Sequence, residues 1–171
     1  MKKALIVFAL LIAVAVPSFA AVNDMMFNVG LTTSESTFDL FKNGQWNPRF
    51  TIGADADFAM IFDHGVGFDV AVRTESNFQD LTIGAYFAYM IDVNSTDLDI
   101  MLTVGPTMQL VGTFAIGLDA MVDLLIDITS SVYVDLGVGL QMDIVEFRDS
   151  GADSSFNMSM PLPSVGIGFK F

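Results

Sequence analysis

The chain has 171 residues, enough for one domain plus a short removable segment, and 53% of them are hydrophobic. Twenty acidic residues against seven basic ones give a formal net charge of -13, which argues against nucleic acid as a partner, because that binding needs basic side chains to neutralise phosphates. Cysteine is absent, which excludes disulfide frameworks, thiolate metal sites and cysteine nucleophiles.

Residues 1–20 read as a signal peptide: Lys2 and Lys3 form a basic start, Ala4 to Val16 an apolar centre, and Pro17-Ser18-Phe19-Ala20 puts small residues before an expected cleavage after Ala20. Removal leaves 21–171 as a single domain with five basic residues against twenty acidic ones. Beyond this segment no run approaches the roughly 18 to 20 apolar residues of a membrane-crossing helix. The hydrophobicity lies instead in alternating segments.

Met25, Phe27, Val29 and Leu31 alternate with Met26, Asn28, Gly30 and Thr32, the pattern of a first strand. The polar stretch from Thr33 to about Pro48 reads as a long loop. A second strand sets Phe50, Ile52, Ala54, Ala56, Phe58, Met60 and Phe62 against Arg49, Thr51, Gly53, Asp55 and Asp57, and Asp63-His64-Gly65 turns the chain. The third strand opposes Val66, Phe68, Val70 and Val72 to Gly67, Asp69, Ala71 and Arg73. After a loop over 74–80, the fourth opposes Leu81, Ile83, Ala85, Phe87, Tyr89 and Ile91 to Thr82, Gly84, Tyr86, Ala88, Met90 and Asp92.

Asn94-Ser95-Thr96 is a turn. The fifth strand carries Leu98, Ile100, Leu102, Val104 and Pro106 opposite Asp97, Asp99, Met101, Thr103 and Gly105, with Pro106 expected near its end, where a missing donor is tolerated. The sixth carries Phe114, Ile116, Leu118, Ala120 and Val122 opposite Ala115, Gly117, Asp119, Met121 and Asp123, and its end near Leu124 to Ile126 is ambiguous. The seventh sets Val132, Val134, Leu136, Val138, Leu140, Met142 and Ile144 against Tyr133, Asp135, Gly137, Gly139, Gln141 and Asp143. A second long loop is expected over about 145–159, and Pro161 and Pro163 delay the eighth strand to Ser164. That strand places Val165, Ile167, Phe169 and Phe171 opposite Ser164, Gly166, Gly168 and Lys170.

Eight strands put both ends of the chain on one side, with tight turns after even strands and longer connections after most odd ones. The apolar face is bulky and free of charge, while the opposite face holds Gly30, Gly53, Gly67, Gly84, Gly105, Gly117, Gly137, Gly139, Gly166 and Gly168. A water-facing surface would be rich in Lys, Glu and Arg. A glycine-rich face suits the narrow interior of a small closed barrel. The expectation is an all-β, transmembrane, up-and-down antiparallel barrel of eight strands, with the apolar face in lipid and both termini periplasmic. Outward aromatics fall at two heights, Phe27, Phe62, Phe68, Tyr89, Phe169 and Phe171 toward the turn end and Phe50 and Phe114 toward the other, as interfacial girdles would.

With its leader, eight alternating segments and terminal Phe, the chain resembles the small eight-stranded bacterial outer-membrane β-barrels of the OmpX, OmpW and OmpA-barrel type, including small barrels of spirochaetes. The resemblance implies residence in the bacterial outer membrane and insertion by the barrel assembly machinery, whose C-terminal signal Val165, Ile167, Phe169 and Phe171 resemble. It implies no single activity.

The inward face carries Asp55, Asp57, Asp69, Asp99, Asp119, Asp123, Asp135 and Asp143 against Arg49, Arg73 and Lys170. Several carboxylates in a narrow lumen need bases, water, protons or cations. Strand directions put Asp69, Asp99, Asp123 and Asp135 in one half near Lys170, so Lys170 is their expected counter-charge. Two readings follow: a hydrated polar plug, or a cation-attracting pathway or ion site. No catalytic residue, cofactor site or metal site is expected; the lone His64 falls in a turn on the periplasmic side, away from the outer rim. Phe38, Leu40, Phe41 and Trp46 in the first long loop are candidates for contact with a surface ligand. The sequence reads as a non-enzymatic barrel with a structural or surface-interaction role, or as a narrow channel or carrier for cations or small hydrophobic molecules.

Overall fold

A computed structural model describes residues 22–39, 45–74, 77–93, 97–112, 114–148, 151–153 and 157–171. The expected leader at 1–20 lies outside them, as do Leu40 and Phe41. The strands are β1 (Val22–Asp39), β2 (Gln45–Phe62), β3 (Val66–Thr74), β4 (Leu81–Asp92), β5 (Leu98–Val111), β6 (Phe114–Thr129), β7 (Val132–Arg148), the short β8 (Gly151–Asp153) and β9 (Asn157–Lys170). Each of β1 to β7 pairs antiparallel with the next. Strand β9 pairs with β7 on one side and β1 on the other, which closes eight strands into a barrel. Closure leaves no sheet edge along the wall. Strand β8 pairs with the end of β7.

Side chains alternate across the wall as the period-two pattern requires. On β1, Met25, Phe27, Val29 and Leu31 are exposed, whereas Met26, Asn28, Gly30 and Thr32 are buried; β9 repeats this with Val165, Ile167 and Phe169 outside and Ser164, Gly166 and Gly168 inside. The apolar side of each strand therefore faces outward and the small or polar side lines the lumen. The glycines make room there. A Cβ on Gly168 would land on the Tyr133 ring, and one on Gly84 on the Tyr86 ring, so both tyrosines lie over glycine.

Several boundaries differ from the sequence reading. The stretch expected as a loop from Thr33 is strand: β1 runs to Asp39 and β2 starts at Gln45, with Phe38 opposite Trp46. Polar residues alternate as well as apolar ones, so hydropathy does not reveal strands that continue past an apolar band. Likewise β7 reaches Arg148, and β9 starts at Asn157 rather than Ser164. Pro161 and Pro163 are accommodated by irregularities: the β1 ladder shifts between Leu31/Thr33 and Ser34/Thr37, and the β7 ladder between Gly137/Gln141. Pro106 lies inside β5, not near its end. Its ladder with β4 passes from Phe87↔Val104 directly to Gly84↔Thr107, as the missing proline donor demands. Finally, β6 continues to Thr129, so Leu125 points inward and is fully buried between outward Leu124 and Ile126.

The wall is uneven in height. Strand β3 has 9 residues and ends with Thr74 opposite Ala54, whereas β1 and β2 have 18 each, roughly 30 Å against roughly 60 Å of extended chain. Beyond β3, Asn77 continues the edge of β2: its N–H donates to the Ile52 carbonyl at 3.0 Å, and its Oδ1 accepts from the Ile52 N–H at 3.2 Å.

Candidate functional site: the lumen

From the turn end inward, the lumen has three tiers. At the mouth stands Lys170, on β9. Its Nζ lies 2.9 Å from Asp99 Oδ2 on β5, and 2.7 and 2.9 Å from Asp127 Oδ1 and Oδ2 on β6. The ammonium also sits 5.7 Å from the centre of the Tyr133 ring, a cation–π distance. A recess of about 460 Å³ opens beside it, lined in part by Asp24, His64, Asp92 and Asp99. His64, at φ 73 in the turn Asp63–Gly65, is exposed there.

Above the mouth is an apolar floor of Met26, Ala59, Ile61, Ala88, Met101, Leu125 and Tyr133. It separates Lys170 from most of the carboxylates assigned to it. Of the four expected partners only Asp99 meets Lys170, and the second is Asp127, which the continuation of β6 brings to the mouth.

Asp69, Asp123 and Asp135 instead join Asp55 and Asp57 in the middle tier, around a cavity of about 20 Å³. The reason lies along the strands: toward the mouth the next inward residue is Leu125 after Asp123, Ala59 after Asp57 and Tyr133 before Asp135, all members of the apolar floor. Asn28 ties this tier together, its Nδ2 donating to Asp57 Oδ2 at 3.0 Å and to Asp135 Oδ2 at 2.7 Å.

The upper tier is built on Asp119, which is 1% exposed. Arg73 Nη1 donates to its Oδ2 at 3.0 Å, the Tyr86 hydroxyl donates to the same oxygen at 3.3 Å, and the Thr107 hydroxyl to Oδ1 at 3.4 Å. Arg73 Nη2 reaches the Met121 sulfur at 2.8 Å. A buried carboxylate with a cation and two hydroxyls has its lone pairs well occupied. Higher still, Asp143 is half-buried on β7 beside buried Glu146. Arg49 lies on β2 outside the residues whose side chains are described, as do Phe38 and Trp46.

The sequence reading put Asn28, Tyr86, Tyr133 and Thr103 on the inward face or its continuation without a role. Large polar side chains on an otherwise glycine-rich face were the available signal. The girdle pattern also changes in two places. Phe62 is only 6% exposed because Phe68 covers it edge-on at 6.1 Å, and Phe147, in the stretch expected as a loop, stacks against Phe114 at 5.2 Å.

No protein-family model matches the sequence, and no curated protein matches it. Solved structures do. Neisserial surface protein A superposes with a TM-score of 0.63 at 12% identity, over 86% of this chain and 97% of that one. The chain has the fold of the small eight-stranded outer-membrane β-barrels. The N-terminal barrel domain of Pseudomonas aeruginosa OprF (TM-score 0.54, 10% identity, 88% and 98% covered) shares this fold. So does the attachment invasion locus protein Ail of Yersinia pestis, in complex with the heparin analogue sucrose octasulfate (0.54, 9%, 86% and 98%). At these identities the likeness is one of architecture.

Proposed function

We propose that the chain is an integral protein of the bacterial outer membrane, non-enzymatic, with a structural or surface-interaction role. The carrying observation is the outward face: Val29, Leu31, Val70, Val104, Val138 and Ile167 are each at least half exposed on a closed barrel whose polar groups point inward. In water such a continuous apolar surface would drive association, whereas in hydrocarbon it is solvated, and the closed ladder satisfies the backbone. A soluble ligand-binding barrel would have the opposite polarity. In this reading both termini are periplasmic, and the exposed Val165, Ile167, Phe169 and Phe171 serve the assembly machinery.

The middle tier favours the plug over the channel. Its cavity of about 20 Å³ holds about one water, far less than a conducting path needs. Any surface partner is expected to differ from the polyanion in the Ail complex, because a mature chain with five basic residues against twenty acidic ones suits a cationic one. Membrane fractionation tests the reading: the mature protein should stay with outer membranes after carbonate washing, and recovery in the aqueous phase would overturn it. Discrete cation-selective openings in planar bilayers, lost on neutralising Asp69 and Asp123, would replace the plug by the channel.

A further inference from the structure

The middle tier contains more negative charge than its visible partners balance. Five carboxylates, Asp55, Asp57, Asp69, Asp123 and Asp135, line the cavity, and among the described residues the one cationic side chain on its wall is Arg73, which pairs with Asp119. Lys170 is on the other side of the apolar floor. Asp69 and Asp135 are 5% and 6% exposed, and each keeps its Oδ1 without a hydrogen-bond partner. A buried carboxylate oxygen in that condition is costly unless something positive or protic occupies the adjacent space.

Three properties of that space select its occupant. Besides the carboxylates its wall carries the Thr103, Ser164 and Tyr86 hydroxyls and two thioethers, Met101 and Met121, the latter already engaged by Arg73, so hard oxygens outnumber sulfur and favour alkali and alkaline-earth ions over soft metals. The volume of about 20 Å³ accepts one water-sized species, which excludes a magnesium ion that retains several waters. Among the described residues no three acidic or histidine side chains group as ligands of one metal ion, which disfavours calcium with its demand for six to eight oxygens. A monovalent ion, satisfied by two carboxylates and neutral oxygens, meets all three conditions.

We propose that the cavity between Asp69 and Asp135 binds one small alkali cation of sodium size, held by carboxylate and hydroxyl oxygens. The ion offsets buried charge and fixes the middle of the plug. The inference rests on the interior of the barrel and stands independently of where the barrel resides.

The test uses the mature protein refolded in zwitterionic detergent, with urea unfolding followed across a sodium chloride series balanced by choline chloride to constant ionic strength. Above the dissociation constant, each tenfold rise in sodium should lower the unfolding equilibrium constant about tenfold, the signature of one site. The double variant Asp69→Asn/Asp135→Asn should lose this dependence, and Asp63→Asn, in the exposed turn, should keep it. Identical curves in sodium and choline would overturn the proposal, as would stabilisation by acid alone, which would assign the charge balance to protons. Should the double variant not fold, sodium NMR relaxation decides on the wild type: excess relaxation over empty micelles that potassium competes away only weakly supports the site, and its absence overturns it.

Discussion

Among the described residues two cations hold the lumen together, and they do so in different surroundings. Lys170 stands at the turn-end mouth with a half-open recess beside it, and bridges carboxylates that retain some exposure. Arg73 lines a cavity that admits about one water and is buried there with Asp119. Loss of a partner at the mouth can be repaired by solvent; the same loss inside strands a charge. The comparison teaches that position along the barrel axis, more than the number of ion pairs, sets what each charge contributes.

Arg73→Met should break the inner arrangement most severely. It leaves Asp119 buried with only hydroxyl donors, at an expected cost of about 3–5 kcal/mol in urea unfolding. Adding Asp119→Asn should recover much of it, and a double-mutant cycle measures the coupling; additive losses would show that the pair does not act as a unit. Gly105→Ala tests the wall beside this tier, because its Cβ would run into the Ala85 carbonyl where Pro106 interrupts the ladder. A loss of about 1–3 kcal/mol is expected from overpacking against backbone that cannot swing aside.

At the mouth the effects should be smaller. Lys170→Ala is expected to lower stability by about 1–2 kcal/mol, between the values for exposed and buried pairs, and the loss should shrink in high salt. An unchanged midpoint would show that water already serves Asp99 and Asp127 equally well. Asp127→Asn should cost less than about 1 kcal/mol, since Asp99 still holds the ammonium. If it matched Arg73→Met, the distinction between mouth and interior would fail.

The sequence was most legible where the two faces of a strand differ. On β1 from Phe27 to Thr32 and on β9 from Ser164 to Lys170 the alternation assigns every side chain correctly, since one face is apolar and the other small or polar. It fails at the floor. Phe58-Ala59-Met60-Ile61-Phe62 and Leu124-Leu125-Ile126 are apolar on both faces, because the lumen itself is apolar there, and a period-two signal vanishes when both faces want the same chemistry. It fails again where strands rise above the apolar band, as at Thr33 to Asp39, because polar residues now occupy both faces.

What the sequence determined by itself was the closed all-β architecture and which face of each strand turns outward, since both follow from local periodicity. What only the tertiary structure decided was which charges meet. Lys170 reaches Asp99 and Asp127, 71 and 43 residues away, and Arg73 reaches Asp119, 46 residues away. Those pairings depend on the stagger between strands, bulges and irregularities included. A shift of two residues in one ladder would preserve every inward and outward assignment while giving each cation a different carboxylate.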